Sequence, residues 1–165
     1  MLRDQKRIPD ESVDLIYLDP PFNSKRSYNV LFGHKTGEDA QAQIVAFGDT
    51  WTWSQASEAQ YRELLTGGPP RVADAIEAMR KLLGDDDVLA YLVMMTPRLV
   101  ELHRKLKPTG SLYLHCDPTA SHYLKLLLDA IFGQKHFQNE FIWYYSGGGA
   151  SSHRWARKHD VILFY

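Results

Sequence analysis

Val13-Asp14-Leu15-Ile16-Tyr17-Leu18 is a mostly apolar run that stops at Asp19-Pro20-Pro21-Phe22. A short apolar run with such sharp borders predicts a strand buried on both faces, as in a parallel sheet. The turn residues Pro9-Asp10-Glu11-Ser12 precede it. Pro20 and Pro21 end it, because neither can donate a ladder hydrogen bond. Asp19 therefore stands at the C-terminal end of a strand, the rim where open α/β sheets bind ligands.

Downstream, Asn23 to Trp53 is polar and carries Gly33, Gly37 and Gly48 without a sustained period. It reads as a long loop or insertion over 23–70, closed by Gly67-Gly68-Pro69-Pro70. Val72, Ala75, Ile76, Met79, Leu82 and Leu83 recur at helical spacing, and Gly84 is the stop. Asp85-Asp86-Asp87 opens the next helix, where carboxylates cap free N–H groups. Its stripe of Val88, Leu92, Met95, Leu99, Leu102 and Leu106 is a core face, kinked at Pro97 and ended by Lys105, Lys107, Pro108 and Gly110. Ser111 to Cys116 predicts a second strand, and Asp117-Pro118 an N-cap with a first-turn proline. Leu124, Leu127, Leu128 and Ile131 face inward on a helix that Gly133 stops. Phe137 to Tyr145 and Asp160 to Tyr165 predict two more strands, with an antiparallel hairpin as one arrangement of that pair. The alternation predicts an α/β sheet.

Composition narrows the classes. The chain has 165 residues, 44% hydrophobic and 24% charged, which excludes wholesale disorder and fits one domain. No apolar run approaches the roughly 20 residues of a membrane helix, and no apolar signal core follows Met1. The single cysteine, Cys116, excludes an internal disulfide and fits a reducing cytoplasm. The net charge of −1 argues against a generic nucleic-acid-coating protein. Charge is uneven, however: residues 34–101 carry 6 Lys/Arg against 11 Asp/Glu, a net of −5, which leaves the rest at +4. The two ends of the chain can thus build a basic face.

By itself, Asp-Pro-Pro is most simply a capped strand-ending turn. The apolar strand before it and the aromatic after it favour chemistry. A nucleobase amine is a poor nucleophile, because its lone pair is delocalised into the ring. A carboxylate and a backbone carbonyl aimed at that amine can accept both of its N–H bonds and favour the pyramidal form as the lone pair attacks. Asp19 supplies the carboxylate and Pro20 the carbonyl, while Pro21 keeps Pro20 out of the helical region. Phe22 offers a face on which an extruded base can stack.

The stretch VDLIYLDPPFNS (13–24) resembles the catalytic motif of the amino-group DNA methyltransferases, the adenine-N6 and cytosine-N4 family. YLVMMTPRLVELHRKLKPTGSLYLHCDPTASHYLKLLLDAIFG (91–133) resembles the helix–strand–helix block that follows in the permuted members, where the catalytic half comes first. FQNEFIWYYSGGGASSHRWARKHDVILFY (137–165) resembles their target-base loop, here 146–158, and closing strand. The resemblance implies a partial Rossmann-like methyltransferase sheet with flanking helices, S-adenosylmethionine as methyl donor, and DNA as substrate. It assigns Asp19, Pro20, Pro21 and Phe22 to catalysis, and Asp19 also to the cofactor. Asp before Pro-Pro, with Phe after, points to adenine N6. Lys25, Arg26, Arg154, Arg157 and Lys158 become phosphate contacts, with Trp155 interleaved as a stacking residue; without the resemblance they read as a solvated surface.

The family's glycine-containing cofactor loop after a strand is not found, nor is its target-recognition region. Gly147-Gly148-Gly149 fits the target-base loop better, and Gly67-Gly68 follows no strand. The chain also stops at Tyr165 inside an apolar strand. The expectation is therefore the catalytic half of a larger enzyme, inactive alone and completed by a second half or a partner chain. The alternatives are a non-enzymatic DNA-binding or partner subunit, and the same chemistry on cytosine N4, RNA or a protein amide. His115, Cys116, Asp117 and His122 lack zinc-site spacing and read as strand and cap residues, so no metal is expected. Trp51 and Trp53 read as packing over the core.

Overall fold

A computed structural model describes residues 7–20, 27–28, 47–48, 51–146, 153, 155 and 158–165. Four strands form one sheet: β1 (Val13–Leu18), β4 (Leu106–Cys116), β5 (Asn139–Tyr144) and β6 (His159–Phe164). Their order across the sheet is β1-β4-β6-β5. β1 runs parallel to β4, while β6 is antiparallel to both β4 and β5. A separate two-residue pair joins β2 (Ser27–Tyr28) and β3 (Phe47–Gly48). The helices are α1 (Gln55–Gly67), α2 (Pro70–Leu83), α3 (Asp87–Lys105) and α4 (Ser121–Phe132).

The helix signals in the sequence act as physics requires. The Asp86 carboxylate accepts the Leu89 backbone N–H at 2.7 Å and caps α3. Gly84 and Gly133 end their helices at φ of 73° and 89°, in the region that favours glycine. α3 continues through Pro97 to Lys105. α1 lies inside the stretch expected to be loop or insertion: Ser54 caps it, and Tyr61 and Leu64 bury its inner face. Asp117 caps the turn before α4 rather than the helix itself, accepting the N–H groups of Thr119 and Ala120.

β4 starts directly where α3 ends, earlier than the expected Ser111. Pro108 and Gly110 do not stop the strand but lie in an irregularity of its pairing with β1. At Gly110 a Cβ would sit 2.8 Å from the Leu106 side chain and 2.9 Å from the Val13 carbonyl, so only glycine lets the strands approach here. The chain before β1 is tied to the same junction. Glu11 and Ser12 donate backbone N–H groups to the Arg104 and Lys105 carbonyls. The Asp10 carboxylate holds Arg104 at 2.6 Å and the buried Lys105 at 2.7 Å, which partners the charge that burial would otherwise penalise.

The core lies between the sheet and one helical layer. Ile16, Leu112, Leu114, Cys116, Val161, Leu163 and Tyr165 point into it from the strands. Leu89, Leu92, Leu99, Leu124, Leu127 and Leu128 meet them from α3 and α4. Trp51 and Trp53 pack against it, Trp51 beside Tyr91 and Trp53 edge-on to Tyr61.

The expected burial of β1 on both faces does not hold among the described residues. β1 pairs only with β4 and is an edge of the sheet. Side chains alternate across a strand, so the residues between the core positions point away from the helices. Leu15 and Tyr17 are 60% and 56% exposed, because no described element covers that side. Tyr113 and Phe164 stack there with ring centroids 4.5 Å apart, and Phe141 joins them from β5. Every residue of β5 is exposed.

Candidate active site

Parallel pairing of β1 with β4 sets Leu18 opposite Leu114, so Asp19, just past β1, stands beside His115 near the end of β4. Both follow apolar core residues and both sit at the C-terminal ends of their strands. The Asp19 side chain is 60% exposed, and its Oδ1 lies 3.1 Å from His115 Nδ1. It is turned outward at the rim rather than inward onto the backbone. His115 is 18% exposed, and its Nε2 lies 3.4 Å from Asp160 Oδ2 on β6. Antiparallel register explains that second contact. His115 faces Ile162, and Asp160, two residues earlier on β6, is its diagonal neighbour on the same face.

This rim therefore presents an acid–imidazole–acid row across β1, β4 and β6. The sequence points to Asp19 but misses its neighbours. The available signal was that His115 ends its apolar run as Asp19 ends its own. Only the register brings Asp160 alongside.

Cys116 follows His115 but faces the core. Burial, with lesser contributions from Asp117, Glu140 and Asp160, pushes its thiol up to about 12. It is no thiolate near neutral pH and no nucleophile. No cluster of three or more His, Cys, Asp or Glu suited to a metal occurs among the described residues.

The other expected site residues divide. Pro20 is half-buried directly after Asp19. Pro21, Phe22, Lys25, Arg26, Arg154 and Arg157 lie outside the described residues, as does most of the 146–158 loop. Trp155 is 98% exposed, as a residue available for stacking must be. Lys158 is half-buried, and its carbonyl accepts the Tyr145 N–H where the β5–β6 hairpin begins to close.

The residues present fit S-adenosylmethionine only in part. Asp19 is a rim carboxylate able to accept N–H donors. The glycines of the helix ends and of β4 build no cradle beside it: Gly67 ends α1 and Gly68 caps it, Gly84 and Gly133 end helices, and Gly110 lies at the far end of β4. A concavity lined by Asp10, His103, Arg104, Gly110 and His136 belongs to that opposite rim.

Comparison with known proteins completes the picture. The chain is 26% identical over 134 residues to the StyLTI Mod subunit of a Type III restriction-modification enzyme from Salmonella typhimurium, covering 81% of this chain and 17% of that protein. It is 23% identical over 156 residues to the Type II methyltransferase M.KpnI of Klebsiella pneumoniae, covering 94% and 27%. It is 27% identical over 161 residues to the EcoP15I Mod subunit of Escherichia coli, covering 94% and 21%. The chain thus spans about a fifth to a quarter of the length of these relatives. Residues 13–165, from the first residue of β1 onward, match the DNA methylase family of N6/N4 type, and the chain belongs to that family.

Proposed function

We propose that this chain is the base-binding, catalytic half of a restriction-modification DNA methyltransferase that methylates adenine N6 in a base swung out of the duplex. The exposed Asp19 carboxylate at the C-terminal rim of a parallel strand pair is the observation that carries this reading. His115 meets one of its oxygens, a contact that leaves the other for a second donor. Asp19 accepts one amine hydrogen and the Pro20 carbonyl the other, which localises the nitrogen lone pair for attack. Phe22 and Trp155 stack on bases, while Lys25, Arg26, Arg154, Arg157 and Lys158 meet phosphates. S-adenosylmethionine supplies an electrophilic methyl group on its sulfonium. Asp19 is the residue of this chain that meets the donor, and the remainder of its site belongs to a second half or a partner chain. That same missing layer covers the bare sheet face around Tyr17, Tyr113 and Phe164. The single, buried cysteine accords with a cytoplasmic enzyme.

The test is transfer of labelled methyl from S-adenosylmethionine to unmethylated DNA by the full gene product, followed by digestion to nucleosides. Label in N6-methyladenosine is expected. Label in N4-methylcytidine would keep the chemistry and change the base. Salt-dependent DNA binding without donor binding in calorimetry would replace the reading with a non-enzymatic subunit.

A further inference from the structure

We propose that His115 is the positioning residue for Asp19, and that Asp160 positions His115 in turn. The inference rests on the reading of Asp19 as the acceptor of the base amine.

An aspartate on an exposed strand end has two free side-chain torsions and, at 60% exposure, little packing to fix them. A carboxylate that must accept a particular N–H cannot be left to rotate, since a misplacement of about 1 Å can cost about a hundredfold in rate. His115 restrains it. Its ring belongs to β4, an inner strand flanked by β1 and β6, and is largely buried. Nδ1 lies 3.1 Å from Asp19 Oδ1, a contact in which Oδ2 takes no part. At 3.4 Å, Asp160 Oδ2 is beyond optimal hydrogen-bond length from Nε2 and sets a second carboxylate beside the ring. The row spans three adjacent strands, so sheet pairing fixes the spacing between its members. Cys116, Leu114 and Leu112 anchor β4 from the core side. Asp19 follows β1 and Asp160 lies on β6, the strands on either side of β4.

The role separates from a merely structural one by its chemistry. Asparagine at position 115 can still offer an N–H near the place of Nδ1, whereas alanine offers none. In the full gene product, His115→Ala should lower kcat about 10- to 100-fold with KM for DNA and donor nearly unchanged. His115→Asn should recover most of that loss. Asp160→Asn should lower kcat by a smaller factor. Unchanged kcat in His115→Ala, or an Asn variant no better than Ala, would overturn the assignment.

A second measurement does not need turnover. In protein labelled with 15N-histidine, the ring nitrogens of His115 should shift when Asp19 becomes Asn and again when Asp160 becomes Asn. Ring signals indifferent to Asp19→Asn would refute the contact. If the wild-type protein transfers no methyl group while those signals respond, the proposed function fails and the positioning contact stands.

Discussion

At the scale of single residues, two neighbours on β4 have opposite fates because a strand alternates its faces. His115 turns to the uncovered side and reaches Asp19, while Cys116 turns into the core. The buried, strongly raised thiol predicts that Cys116 resists alkylation in the native chain at pH 8 and reacts once denaturant is added. Rapid labelling without denaturant would place it elsewhere. The place of Asp19 at a strand end was legible in the sequence, because the apolar run stops there before two prolines. The partnership with His115 and Asp160 was not legible. It depends on strand register, which relates residues 96 and 45 positions apart and leaves no local pattern. Phe22 carries a prediction from sequence alone: Phe22→Ala should weaken target-base binding by about 1–3 kcal/mol, the scale of one stacked base, measured by titration with DNA.

Secondary-structure elements were read well where periodicity was strong and poorly where polar residues masked it. The leucine stripes located α3 and α4, although Leu106, expected on the α3 stripe, opens β4 instead. α1 was missed because Gln55–Gly67 buries only Tyr61 and Leu64, although Ser54 offered a capping signal. The start of β4 was missed because Pro108 and Gly110 normally punctuate, and here they sit within a bulged strand. Gly110→Ala should therefore destabilise the chain by about 1–3 kcal/mol in denaturant unfolding, since its Cβ would press on the Val13 carbonyl and the Leu106 side chain. A neutral result would show that the β1–β4 junction has room to yield.

The last turn of α3 adds a pH dependence. Burial, and secondarily the nearby His136, hold His103 below the ordinary histidine value of 6.5. The folded state keeps this ring neutral while the unfolded chain protonates it. Its effect on stability is thus absent above 6.5 and grows as a loss when pH falls from there toward the depressed folded value. His103→Phe, which keeps a ring against Phe132, should flatten the decline in melting temperature as pH falls below 6.5.

On the scale of the whole molecule, α3 and α4 pack on one sheet face, α1 and α2 pack against those helices, and the other face shows an aromatic patch. The α/β class and the antiparallel β5–β6 pair were legible from the alternation of periods. The bare face was not: VDLIYL has the composition of a strand covered twice, and composition cannot say which cover belongs to the same stretch of chain. Tyr17→Lys with Phe141→Lys should reduce hydrophobic-dye binding and self-association of the 165-residue chain, with little change in its melting temperature. If a second half or partner covers this face as proposed, the same pair should destabilise the covered protein, because the charges would be buried. The role of Asp19 as the group that grips the base amine is tested most directly by methyl transfer to DNA by the full gene product, compared between wild type and Asp19→Ala at matched DNA and donor binding. Near-complete loss of transfer with an unchanged melting temperature is expected. Transfer by the alanine variant at close to the wild-type rate would contradict it.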